Sequence, residues 1–163
     1  TLNIVWSTQY GVTHASGVTD EEAASVALGC AKIPGQDYIY VAGDVENGAI
    51  LEGSPQSAGG DDIFVGMLDA RSGEKLWTKQ VGSSGDDRIA RGGGIIADAD
   101  GNAVVYGDTT GSFLRMRDRG SSYTSDLFLM TFNKEDGAHE ESLSKLKPNK
   151  KNQSTKANPA PAE

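Results

Sequence analysis

The stretch Asn102–Asp108, NAVVYGD, decides how this chain folds. Val104, Val105 and Tyr106 are β-branched or aromatic, the residue types that suit a pleated, half-buried surface, and Gly107-Asp108 is a turn signal. The stretch predicts a strand that stops at the Gly-Asp pair. It has a counterpart earlier in the chain: YIYVAGD at Tyr38–Asp44 places Gly43 and Asp44 where the later segment has Gly107 and Asp108.

Two further blocks recur in the same order. VWSTQYG (Val5–Gly11) matches LWTKQVG (Leu76–Gly82) in its Trp, Gln and Gly, so Trp6 falls on Trp77. DDIFVGMLDARSG (Asp61–Gly73) aligns with SDLFLMTFNKEDG (Ser125–Gly137), which puts Asp62 on Asp126, Phe64 on Phe128 and Gly73 on Gly137. Three blocks in one order predict a repeat of roughly 65–70 residues, each copy a supersecondary unit. The expected division is a first unit at 1–75, a second at 76–143, and a tail at 144–163.

Inside each unit the apolar period is two. Ile63, Val65 and Met67 share one face of a strand, and Phe64, Gly66 and Leu68 share the other. Apolar residues on both faces predict a strand covered on both sides. SGEKLWTKQVG reads as a turn followed by a strand carrying Trp77, and IARGGGIIAD as a short strand weakened by Gly92, Gly93 and Gly94. TDEEAASVALG has helix-start signals at Thr19 and Asp20. Its counterpart SGDDRIARGGG cannot sustain a helix, so the repeat predicts a loop leading into a strand in both places. The fold class expected is all-β, with about four short strands per unit.

Composition agrees with that class. The 163 residues suffice for one domain with a substantial core. Hydrophobic content of 37% and 21 glycines favour turns and short strands over a helical bundle. The formal charge of -8 is uneven: residues 1–143 carry 10 Lys and Arg against 22 Asp and Glu, and residues 144–163 carry 5 Lys against 1 Glu. An acidic body repels phosphate backbones, which argues against nucleic acid as a partner. The tail, rich in Lys, Asn and Pro, has nothing to bury and reads as a disordered linker. Cys30 is the single cysteine, so no intrachain disulfide can form, and its apolar surroundings predict a small core residue. No window approaches the roughly 18 apolar residues of a membrane span.

The order LW…QVGSSGDD…IIADADGNAVVYGDTTGSF…DLFLMTFNKEDG resembles the seven-bladed-type β-propeller repeat family, the SBBP repeats. Asp98, Gly101, Asn102, Val105 and Gly107 fit its Gly-Asn strand motif, and Asp126, Phe128 and Gly137 fit its last strand, with Asn133 where an Asp is usual. The first unit is looser, with Pro34-Gly35-Gln36-Asp37 in place of the acidic turn. The resemblance implies two four-stranded propeller-type blades, in a protein that is exported or held at the cell surface. It implies no single activity. Propellers close with about four to eight blades. Two units therefore need further blades from a longer parent chain, an assembly of copies, or an open two-sheet stack.

Candidate sites are few. Asp98, Asp100 and Asn102 alternate as in calcium loops, with Gly101 permitting a tight turn. Asp-Gly-Asn is equally a hairpin-turn signal that needs no metal. The acidic pairs Asp61-Asp62 and Asp86-Asp87, with Asp44 and Asp108 after the strands, could serve a glycosidase, which uses two carboxylates. They also fall where Asp caps backbone amides. His14 and His139 share no spacing that would make a metal pair. Trp6 and Trp77 could stack on a sugar, but their matched positions point to packing, as do those of Gly43, Gly107, Phe64 and Phe128. Arg115, Arg117 and Arg119 lie on one side of an extended segment and are the candidate contact for an anion or partner.

The function expected is a non-enzymatic binding or structural module whose partners are other blades, with protein or carbohydrate as ligand. The alternatives are a carbohydrate-active hydrolase using loop carboxylates and a calcium-stabilised adhesion module.

Overall fold

The computed structural model describes residues 3–13, 25–33, 35–46, 48–54, 57–113 and 125–139, and they hold strands and no helix. The strands are β1 (Val12–Thr13), β2 (Ser25–Lys32), β3 (Tyr38–Val45), β4 (Ile50–Leu51), β5 (Asp62–Asp69), β6 (Lys75–Val81), β7 (Asp87–Ile89), β8 (Ile95–Ala97), β9 (Ala103–Thr109) and β10 (Asp126–Phe132). They form two four-stranded antiparallel sheets and a small β1–β4 pair. Ser25–Lys32 is a strand, as the counterpart argument expects and the N-cap signals alone would not.

The first sheet is a meander in the order β2-β3-β5-β6. In the second, β10 pairs with one side of β9, and both β7 and β8 pair with the other. β7 and β8 act as one strand broken at the glycines between them. Gly92 and Gly93 take φ of 95° and 117°, a region closed to most side chains. The strand resumes at Ile95.

The cross-strand registers of the two sheets coincide. Gly43 faces Phe64, Ala42 faces Val65 and Asp44 faces Ile63 across β3 and β5. Gly107 faces Phe128, Tyr106 faces Leu129 and Asp108 faces Leu127 across β9 and β10. Each of these pairs is displaced by the same 64 positions in both strands, 43 to 107 and 64 to 128.

The turns that follow β5 and β10 also correspond. Asp69 N–H donates to Glu74 O and Gly73 N–H to Asp69 O, while Asn133 N–H donates to Ala138 O and Gly137 N–H to Asn133 O. Asp69 caps the amides of Arg71 and Ser72, and Asn133 caps that of Glu135. Asn133 thus performs the turn closure that its expected Asp would perform.

The main core lies between the sheets. Tyr40, Ala42, Ile63, Val65 and Met67 of the first sheet meet Ile95, Val105, Phe128, Met130 and Phe132 of the second. The opposite face of the first sheet carries a smaller cluster, in which Phe64, Val45 and Leu51 are covered by Tyr10 and Val12. β5 is therefore buried on both faces, as its continuous apolar run predicts. Cys30 departs from expectation and is exposed. It faces Val41 on the edge strand of the first sheet, on the side turned away from the second.

Candidate functional site

Polar side chains gather where β3 and β9 end and β5 and β7 begin. Antiparallel pairing brings Val45 opposite Asp62 and Asp87 opposite Thr109, so turn acids that are distant in sequence arrive at one end of the stack. Asp44, Asp61, Asp62 and Asp87 are buried there, at 8%, 7%, 1% and 0% exposure.

Each has an assigned partner. Asp44 accepts a 2.8 Å hydrogen bond from Ile89 N–H of the second sheet. Asp61 Oδ2 takes two bonds from the Arg88 guanidinium, at 2.9 and 2.6 Å. Asp62 Oδ2 accepts from Gln80 Nε2 and from Ala58 N–H, while Asp62 Oδ1 is buried without a hydrogen-bond partner. Asp87 accepts from the amide and the hydroxyl of Ser83, whose Oγ lies 3.4 Å from Thr109 Oγ1. Asp86 Oδ1 reaches Asp61 N–H at 3.4 Å. Backbone amides supply half of these hydrogen bonds and side chains the other half, and several of them join one sheet to the other.

The electrostatics follow from burial. Desolvation is the largest influence on Asp44 and raises its pKa to about 6; the Ile89 amide and Arg88 pull it down, and Asp61 and Glu46 push it up. Desolvation also raises Asp87, against the bonds from Thr109 and Ser83. Arg88 is held more firmly protonated, first by its hydrogen bond to Asp61. A buried carboxyl near 6 has the acidity of a general acid, but Asp44 spends one oxygen on a backbone amide that ties the sheets together.

Asp98, Asp100 and Asn102 form a closed turn. Asp98 Oδ1 accepts from the amides of Asp100 and Asn102, and Asp98 Oδ2 from Asn102 Nδ2. Asn102 Oδ1 accepts from Lys134 N–H, and the Lys134 ammonium donates to Asp100 O. Desolvation raises Asp98, but its hydrogen bonds from Asn102, Asp100 and Gly101 together outweigh it and leave the pKa lowered. Among the described residues, no cluster of three or more His, Cys, Asp or Glu side chains could hold a metal.

The two tryptophans lie in matching settings. Trp6 Nε1 donates to Ala70 O and its ring covers Gly73; Trp77 Nε1 donates to Lys134 O and its ring covers Gly137. Trp77 also stacks at a tilt on Tyr40, whose hydroxyl donates 2.6 Å to Gly101 O. Burial first, then the charges of Asp98 and Glu135, raises that phenol to about 12 and keeps it a donor. Gly43 and Gly107 occupy equivalent strand positions, and a Cβ at Gly107 would collide first with Arg88 O and then with the Phe128 ring. Arg115, Arg117, Arg119, His14 and the tail at 144–163 lie outside the described residues. The sequence does not single out Arg88, Gln80 or Ser83 as site residues. Gln80 had a signal, because Gln recurs with Trp and Gly in the first block.

Family models and curated proteins, compared with the chain, return no match. No helix among the described residues is long and apolar enough to cross a membrane.

Proposed function

We propose that the chain is a non-enzymatic β-propeller-type module, two blade-like repeats of the SBBP kind, serving as a binding or structural scaffold in an exported or surface protein. The observation that carries this reading is the common register, in which Gly43 facing Phe64 and Gly107 facing Phe128 differ by one constant displacement. The paired Trp–Gly contacts support it, because each outer tryptophan packs on a turn 60 to 67 positions further along, 6 to 73 and 77 to 137. The resemblance supplies the location, and protein or carbohydrate is the ligand class it fits.

The rival with an observation behind it is a carbohydrate-active hydrolase, favoured by the raised pKa of Asp44 beside Asp61. Incubating the full chain with soluble polysaccharides and reading reducing-end release separates the two. The scaffold reading expects no release above that of Asp44→Asn. Release by the wild type that Asp44→Asn abolishes would establish the hydrolase.

A further inference from the structure

The outward face of the second sheet is apolar and uncovered. Leu127 and Leu129 are 75% and 65% exposed, flanked by Ile96 and Tyr106. Displaced back by 64 positions, Leu127, Leu129 and Tyr106 correspond to Ile63, Val65 and Ala42, all fully buried between the sheets. What is core in the first sheet is bare surface in the second. A contiguous apolar patch of this kind marks an interaction surface.

Among the described residues the edge of the same sheet is open as well. In the first sheet β6 closes β5, pairing Val65 with Lys79 and Phe64 with Gln80. Among the described residues the corresponding edge of β10 carries only an isolated bridge from Phe132 to His139. An unpaired edge presents a row of free amides and carbonyls to another strand.

The opposite end of the chain has the complementary feature. Residues 3–11 match the β6 sequence, with Trp6 and Gln9 in the places of Trp77 and Gln80, yet they join neither four-stranded sheet. Trp6 anchors this segment over Gly73, as Trp77 anchors β6 over Gly137. Ile4 and Val5 remain 85% and 86% exposed. Among the described residues, a β6-like segment lies outside both four-stranded sheets, and the edge of β10 has no β6-like strand beside it.

We propose that the open face and free edge of the second sheet receive residues 3–11 of a second copy of this chain, head to tail. The inference rests on the blade reading above. It continues an interface already present, since the first sheet, with its β6 strand, packs on the second in the same sense. Transferring the β5–β6 register to the new pair places Leu129 opposite Thr8 of the second copy, and Phe128 opposite Gln9. Such a heterologous contact repeats until it closes. With two sheets per chain and about four to eight blades per propeller, closure takes about two to four copies.

The test uses the full chain in two forms. Light scattering after size exclusion, with circular dichroism alongside, should give a sheet-rich species of two chains or more. The double variant Leu127→Lys/Leu129→Lys, altered only at exposed positions, should keep the sheet signal and fall to one chain. In a Cys30→Ser background, a mixture of Leu129→Cys and Thr8→Cys chains should form a mixed disulfide on mild oxidation. Replacing Thr8→Cys by Val5→Cys, three positions out of register, should lose it, because bridged Cα atoms must lie within about 7 Å. A sheet-rich wild type of one chain at every concentration overturns the proposal. So does association that survives the double lysine variant, or crosslinking indifferent to register. If the chain stays single while Gly73→Ala and Gly137→Ala lose stability alike, the docking fails and the blade reading stands. If those two variants behave differently, the blade reading itself fails.

Discussion

The indole of Trp77 lies over Gly137 so closely that a Cβ on that residue would come within 2.7 Å of the ring. Gly137 also takes φ of 67°, where an L side chain is strained. The contact therefore needs glycine twice over, for conformation and for space. Trp6 over Gly73, at φ 75°, has the same two requirements.

Gly137→Ala and Gly73→Ala should each cost about 2–4 kcal/mol, combining an incompatible backbone with overpacking. Denaturant titration followed by tryptophan fluorescence measures both. In a Trp77→Leu background Gly137→Ala should cost less, since the clash with the ring is gone and only the backbone strain remains.

Asp44 makes stability depend on pH in an unusual direction. Its folded pKa, about 6, lies above the ordinary carboxyl value, so the folded state holds the proton more tightly than the unfolded state. Its contribution is greatest below pH 4, falls as pH rises towards 6, and is flat above. Asp44→Asn keeps an oxygen for the Ile89 amide and removes the buried charge. It should stabilise the chain by ~1–3 kcal/mol at pH 8 and by little at pH 4, read from urea midpoints at the two pH values.

Asp98 has the opposite sign. Its pKa is lowered by the turn amides and Asn102, so its contribution is present above the ordinary carboxyl range and is lost as pH falls through the folded value. Asp98→Ala should cost about 1 kcal/mol at pH 7, discounted for partial exposure, and less at pH 3. Because the carboxylate already serves three donors, millimolar calcium should leave Tm unchanged. A rise of several degrees that Asp98→Ala removes would establish the calcium-stabilised module instead.

Gln80 joins three groups: its Oε1 accepts from Leu51 N–H, and its Nε2 donates to Ala49 O and Asp62 Oδ2. Gln80→Ala leaves the buried Asp62 carboxylate with the Ala58 amide as its one hydrogen-bond donor, its Oδ1 already having no partner, and frees Leu51 N–H and Ala49 O. The expected loss is about 2–3 kcal/mol, measured by thermal or urea unfolding.

The strands were legible because their signals are local. The β-branched and aromatic runs all lie in strands, and the period-two reading of Ile63, Val65 and Met67 names the residues that share the core. The expected stop at Gly-Asp does not hold, because β3 and β9 stay paired through Gly43-Asp44 and Gly107-Asp108 to Val45 and Thr109. Burial of the acids was not legible. Asp62 and Asp87 read as turn caps, and only the antiparallel pairing that sets them at the sheet junction makes them interior. The exposure of Cys30 is hidden for a related reason: an apolar neighbourhood in sequence does not say that its strand lies at a sheet edge. The Asp98 turn could be read two ways because a capping carboxylate and a calcium ligand share one pattern. Lys134, which closes that turn from another strand's loop, lies too far along the chain to be associated with it from sequence.

Register is the decisive feature of the fold, because a slip of one residue reverses the two faces of a strand. Nuclear Overhauser contacts in the labelled protein test it most directly. The account predicts Gly107 opposite Phe128, Met130 side-chain contacts within the core that holds Val65, and no core contact from the methyls of Leu127 or Leu129. Leu127 or Leu129 methyls found against Ile63 or Val65 would contradict it, and with it the equivalence of the two sheets.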